Sequence, residues 1–330
     1  MYVKLEDIPA LKFGTGEDTT FAGAAQRMLN AMGRPMPYYE VMALSGAAFR
    51  LQIHCNGWRV NSPDLMCGYD LTTTLAAACG IELERIWLCC NPHKIELGRA
   101  RALQALQRGW PSIGLGMDGK THHGLIIGGT PDALLALDYS YPSSSHEVLE
   151  KLVWCYHIPV AMHDPPPRYV QVRSAFSLAR TLMLQPRANS FHLGLDAYEY
   201  WRATLTNPDH HNAQHDDWRT RERNDGNYWI LLSLVDARRS AAAFCAALAD
   251  EFPHCRHTLR DLHQLYTAMA DTLQPLLTRQ TVRPAQRISR AWPWTMYDRR
   301  KQALLLEHVQ DYERQALVLL DELLQKLPLV

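Results

Sequence analysis

Asp18-Thr19-Thr20-Phe21-Ala22-Gly23-Ala24-Ala25 opens the segment whose reading decides the fold. Aspartate and threonine suit a helix start, because their side-chain oxygens accept from the free N–H groups of the first turn. Phe21, Ala24, Ala25, Met28 and Leu29 then share one helical face, and Gly33 supplies the left-handed stop. The run Ala22-Gly23-Ala24-Ala25 has so little side-chain volume that the helix is expected to be packed closely from all sides. A helix N-terminus carries unpaired N–H groups and the positive end of the macrodipole, which favour negative charge there. Thr20 therefore places a hydroxyl where a nucleophile or a developing oxyanion is stabilised. Capping alone explains the same two threonines without any chemistry.

Downstream, the first half mixes periods. Tyr38 to Leu44, Leu71 to Cys79 and Glu96 to Arg108 have helical spacing, the last two stopped by Gly80 and Gly109. Phe49 to Ile53, Glu84 to Cys89, Ser112 to Gly116 and Arg168 to Arg173 read as strands. Gly124 to Gly128 and Ala133 to Asp138 read as a hairpin around Gly129-Thr130-Pro131-Asp132. After Arg173 the pattern is almost all helical: Phe176–Leu184, Gly194–Thr204, Tyr228–Asp250, His257–Leu277 and Tyr297–Leu327. The expected class is α+β, with an antiparallel-sheet domain over 1–173 and an all-helical subdomain over 174–330. Asn207 to Asn227 reads as an exposed polar loop; its His210, His211, His215, Asp216 and Asp217 are read as solvated rather than as a metal site.

With 34 basic and 34 acidic residues the charge is balanced, so nucleic acid and anionic membranes have no electrostatic footprint here. Neither a signal peptide nor an apolar run of spanning length is apparent, and the expected location is the cytoplasm. The eight cysteines form no CxxC pair and are read as reduced thiols. No metal and no organic cofactor is implied.

The order helix–hydroxyl, His122-His123-Gly124-Leu125-Ile126-Ile127-Gly128, then Leu135-Ala136-Leu137-Asp138 is similar to that of papain-like domains. It most resembles their double-glycine leader-peptidase branch, where a histidine opens an apolar strand and an aspartate ends the next. Across residues 17–141 the chain resembles the family typified by the N-terminal domain of butirosin biosynthesis protein H. The resemblance is carried by Thr20-Phe21-Ala22-Gly23-Ala24, Leu44-Ser45-Gly46-Ala47-Ala48-Phe49-Arg50-Leu51 and Ser62-Pro63-Asp64-Leu65-Met66-Cys67-Gly68-Tyr69-Asp70. In the helical half it is carried by Gly194-Leu195-Asp196-Ala197-Tyr198-Glu199-Tyr200-Trp201.

The resemblance implies a papain-like fold and acyl-group chemistry of bacterial specialised metabolism: an amide-forming acyltransferase, a cyclase or a hydrolase. Its substrate would be a small molecule, with delivery on an acyl or peptidyl carrier protein left open, as is a homodimer. The family's cysteine position holds Thr20, so the nucleophile is expected to be Thr20, or Cys67 near a helix start, where a thiol pKa can fall. His122 or His123 is the expected base and Asp138 its orienter. No glutamine precedes Thr20 to build an oxyanion hole; Glu17 and Thr19 stand nearby as substrate contacts. Ser45, Arg50 and Tyr69 complete the candidate pocket, Arg50 either as a carboxylate anchor or in a structural ion pair. Two readings compete with a covalent enzyme: orientation catalysis with a histidine moving the proton, and a pseudoenzyme that binds a small molecule or partner.

Overall fold

The computed structural model describes residues 2–141, 144–210, 218–280 and 295–328. The fold is α+β, with an antiparallel sheet and a C-terminal helical region. In chain order the elements are β1 (Val3–Lys4), α1 (Thr20–Ala31), α2 (Tyr38–Ser45), β2 (Gln52–His54), α3 (Thr72–Cys79), β3 (Ile81–Trp87), α4 (Pro92–Leu106), β4 (Ser112–Leu115), β5 (His123–Gly129), β6 (Leu134–Asp138), β7 (His146–Glu147), β8 (Cys155–Met162), α5 (Arg168–Leu184), β9 (Arg187–Ala188), β10 (Phe191–Leu193), α6 (Gly194–Thr206), α7 (Trp218–Glu251), α8 (Arg256–Gln280) and α9 (Met296–Lys326). They fall into two compact units: residues 1–41 with 72–167, and residues 42–71 with 168–330. Residues 42–71, placed in the N-terminal domain on sequence, thus group with the helices. Among the described residues no helix is long and apolar enough to cross a membrane.

In the first unit the sheet runs β3-β8-β4-β5-β6-β7, antiparallel throughout, with β1 added to β5. Phe21 of α1 meets His123 and His157 on one face. Ala102, Ala105 and Leu106 of α4 pack with Ile126, Ala136, Tyr156 and Ile158. Side chains alternate along a strand, so α1 and α4 cover opposite faces. The predicted start and stop of α1 hold: the helix begins at Thr20, and Gly33 follows at φ +77°. Helix α4 starts earlier than its apolar periodicity suggested, because Asn91 accepts from the N–H groups of His93 and Lys94 and Pro92 takes the first helical position.

The second unit holds a small antiparallel sheet, β2-β10-β9, and the helices α5 to α9. Inside its helical core the Arg238 Nε donates to Glu313 at 2.6 Å, and the Tyr198 hydroxyl donates to the same carboxylate at 2.9 Å.

Four sequence readings are corrected. Arg168–Arg173 is not a strand but the first turns of α5, whose buried Gln171, Val172, Ala175, Phe176, Ala179, Leu182 and Met183 follow helical spacing. The strand that reading displaced is β8, which lies between β3 and β4. Its run Cys155 to Ile158 is buried throughout and so shows no alternation, and Pro159 argues against an interior strand. The proline is tolerated because the β3–β8 register shifts between Glu82 and Leu83, beside it. Phe49 is in a 3₁₀ turn, and strand β2 begins only at Gln52. The supposed loop 207–227 is helical from Trp218, and its Asn227 is buried, accepting from Trp201 Nε1 at 2.8 Å. His211, His215, Asp216 and Asp217 lie outside the described residues.

Candidate functional site

The site is built where α1 meets the start of β5. Thr19 takes the N-cap position with extended backbone, φ −82° and ψ 101°, though its side chain makes no capping bond. Its N–H donates to the Tyr38 hydroxyl at 3.0 Å. Upstream, Asp18 accepts from the Gly14 N–H at 2.6 Å, and the Glu17 carbonyl accepts from the Tyr139 hydroxyl at 3.0 Å. The Glu17 carboxylate pairs with Arg27 at 2.5 Å, so it is held by the protein itself.

Thr20 is partly exposed, and its side chain turns to the sheet. Its Oγ1 accepts from the His123 N–H at 3.1 Å and lies 3.4 Å from His123 Nδ1. The partner of Thr20 is therefore His123, at the first position of β5, and not His122. His123 is buried, and its Nε2 has no hydrogen-bond partner among the described residues. Burial, with the neighbouring His122 adding to it, pushes the His123 pKa down to about 3. The ring is neutral near pH 7 and able to accept the Thr20 proton at Nδ1, but it is a weak base.

Asp138 does not complete this pair. In the β5–β6 ladder it stands opposite Gly124, so its side chain lies on the face away from His123. Any side chain at Gly124 would collide with it, the Cβ atoms meeting at 2.8 Å. One Asp138 oxygen accepts from the N–H groups of Ser140 and Tyr141 at 2.7 and 3.0 Å. The other faces His146 Nε2 at 3.6 Å and His122 Nε2 at 4.0 Å. Burial pushes the His122 pKa down, against the pull of Asp138, and the ring also meets the Ser140 hydroxyl at 3.3 Å. The expected set of Thr20, His122 and Asp138 is thus split across two faces of the sheet: Thr20 with His123, and Asp138 with His122 and His146.

Cys67, Ser45, Arg50 and Tyr69 belong to the second unit. Cys67 does not have the lowered pKa its position suggested. Burial, reinforced by Asp64, pushes the thiol up to about 11, which makes it a poor nucleophile near neutral pH. Ser45 is buried and serves the turn at Gly46, its hydroxyl accepting from the Ala47 N–H at 3.2 Å. Arg50 anchors a loop: its guanidinium donates to the carbonyls of Pro63 and Asp64 at 2.8 Å, Tyr69 at 3.0 Å and Cys67 at 3.4 Å. Burial lowers its pKa to about 10, so it stays cationic.

Sequence reasoning missed His157 and His146. His157 lies on the α1 face with its ring 6.3 Å from that of His123, and Phe21 is set edge-on against both. Its strand was unread, so its face could not be assigned. His146 sits on a two-residue edge strand, too short to show alternation. Among the described residues no group of three or more His, Cys, Asp or Glu side chains is placed to hold a metal ion. No protein-family model matches the chain, and no curated protein matches it.

Proposed function

We propose that this chain is an acyl-group enzyme of papain-like layout, in which Thr20 is the reacting or substrate-contacting hydroxyl and His123 its proton partner. The observation that carries this reading is the 3.4 Å approach of Thr20 Oγ1 to His123 Nδ1 at the N-terminus of a buried helix. In that arrangement the hydroxyl proton passes to Nδ1 as oxygen attacks an activated carbonyl, and the helix N–H groups receive the oxyanion. The proposed substrate is a small molecule bearing an activated acyl group, such as a thioester.

A second reading, a pseudoenzyme that binds such a molecule without turning it over, is favoured by two features of the same site. The His123 pKa is held down to about 3, and among the described residues no carboxylate is hydrogen-bonded to its ring. A catalytic histidine is normally oriented and made more basic by such a partner.

p-Nitrophenyl acetate separates the two. The enzyme reading expects a stoichiometric acyl adduct on the Thr20 peptide, lost in Thr20→Ala and slowed at least tenfold in His123→Gln. Recovery of unmodified Thr20 from the wild type, with nitrophenol release unchanged in both variants, leaves the binding reading.

A further inference from the structure

We infer that the second unit holds an oxyanion site, formed by Arg299, Arg223, Asn224 and His210, that takes the dianionic phosphate group of a phosphorylated small molecule. All four residues belong to one unit, and the site needs nothing from Thr20.

Arg299 is a buried cation with no anion beside it among the described residues. It stands at the end of the first turn of α9 and is 4% exposed. Its Nε and Nη1 are enclosed and have no hydrogen-bond partner. The adjacent acid, Asp298, is spent on the helix cap, where it accepts from the Thr295 hydroxyl at 2.6 Å and the Thr295 N–H at 3.0 Å. A cation here also opposes the helix macrodipole, whose positive end lies at the N-terminus. Burial lowers the Arg299 pKa, yet a guanidinium stays charged inside a protein. A buried charge left unpaired is strongly destabilising. A bound anion supplies the partner that the chain does not.

The register of α7 against α9 identifies the neighbours of Arg299. Asn227 and Gln302 exchange hydrogen bonds at 2.9 and 3.3 Å, and Arg238 donates to Glu313 at 2.6 Å; both pairs are 75 residues apart. The two helices therefore run parallel along this face. One turn N-terminal to the first pair stand Asn224 and Arg299, with the same offset. Asn224 Oδ1 is enclosed and has no hydrogen-bond partner among the described residues. An amide accepts at one end and donates at the other, so the Asn224 NH2 can turn to an oxyanion.

Arg223, the preceding residue, donates to the His210 carbonyl, and no carboxylate among the described residues pairs with it. Both guanidiniums act on the His210 imidazole, adding to the burial that pushes its pKa down to about 4. Gly57 brings bare backbone to the same place. At its φ of +114°, a Cβ would lie 3.9 Å from both His210 Nε2 and Arg223 Nε, so imidazole and guanidinium surround one small space. The ring is set edge-on against buried Trp58, centroids 4.9 Å apart. His210, Arg223 and Asn224 are half-buried, so the cluster reaches solvent.

Two guanidiniums without a carboxylate between them match a dianion better than a monoanion, and each can donate two parallel bonds to phosphate oxygens. His210, neutral near pH 7, can add an N–H donor without further charge. A phosphate monoester carries close to two negative charges at that pH.

The test is isothermal titration calorimetry of the full-length chain near neutral pH with inorganic phosphate, against acetate and chloride at matched ionic strength. Wild type is expected to bind phosphate with a low-millimolar or tighter Kd, and acetate at least tenfold more weakly. Arg299→Met and Arg223→Gln are each expected to weaken phosphate about tenfold or more, the loss of charge-assisted hydrogen bonds. Urea unfolding adds a readout that a structural ion pair would not give. Without phosphate, Arg299→Met is expected to be at least as stable as wild type, and it should lose the rise in midpoint that phosphate gives wild type. Phosphate binding no tighter than acetate in wild type overturns the proposal, whether or not either variant folds. So does an Arg299→Met protein that keeps wild-type phosphate affinity, or one that unfolds at markedly lower urea without phosphate, which would mark Arg299 as a structural cation.

Discussion

Gly23→Ala tests whether the close packing of α1 against the sheet sets the loop that leads into Thr20. A Cβ at Gly23 would lie 2.1 Å from the Tyr139 hydroxyl oxygen and 3.3 Å from the ring carbon bearing it. Tyr139 is buried against Phe13, ring centroids 4.5 Å apart, and its hydroxyl holds the Glu17 carbonyl. The new methyl must therefore displace that hydroxyl, losing a hydrogen bond of about 1 kcal/mol. Overpacking adds about 1–3 kcal/mol, while replacing glycine inside a helix returns about 1 kcal/mol. The net expectation is a loss of about 1–3 kcal/mol. Tyr139→Phe removes the colliding atom; alone it costs about 1 kcal/mol for the Glu17 hydrogen bond. In that background Gly23→Ala should be neutral, or stabilising by up to about 1 kcal/mol. The double-mutant cycle should then show a coupling of about 2 kcal/mol, read from urea unfolding of the four proteins at matched m-values. Equal destabilisation by Gly23→Ala in both backgrounds would refute the packing account.

Two further outcomes follow from buried polar groups. His123 is neutral and buried with its pKa near 3, below the ordinary 6.5, so the unfolded chain binds more protons than the folded one between those values. Its contribution to stability is present above about pH 6.5 and is lost as pH falls towards 3, with a slope of up to about 1.4 kcal/mol per pH unit; His123→Gln should flatten that slope in chemical denaturation measured at several pH values. Arg50→Met strips donors from four carbonyls of the 63–69 loop and should cost about 3 kcal/mol or more. Limited proteolysis within 62–70 should accelerate, and Arg50→Lys should not rescue it, because one ammonium cannot span the carbonyls a planar guanidinium reaches.

What was legible in the sequence was what depends on near neighbours. The glycine stop of α1, the β5–β6 hairpin and the long C-terminal helices follow from turn chemistry and periodicity, all local; the start of α1 is read from capping, although the Thr19 side chain makes no capping bond. β8 was illegible because a strand buried along most of its length, with a proline beside a bulge, lacks the alternation that marks half-buried strands. The turns of α5 were misread because Arg168 to Arg173 mimics a period of two before its helical period declares itself at Ala175. Thr20 and the histidine pair were found because they sit at element starts. Which histidine meets Thr20 was not decidable, since the two adjacent side chains point oppositely and the choice depends on which face α1 covers.

That same parity limits the chemistry of the Thr20 site. In an antiparallel ladder a residue directly opposite Gly124 shares its face, and His123 must then point the other way. Bringing Asp138 onto the His123 ring would need a one-residue change of register, which would drive Asp138 towards α1 and turn Ala136 out of the core it shares with α4. The packing of α4 therefore fixes the separation, and the collision that any Cβ at Gly124 would make with Asp138 shows how closely the two strands are held there. A base isolated in this way gains no strength from an aspartate. On the proposed function, acyl transfer at Thr20 would draw its rate from the helix N–H groups and from substrate positioning rather than from proton abstraction by a strong base. Removing the orientation of the substrate should accordingly cost more activity than exchanging His123 for a residue that merely accepts a hydrogen bond.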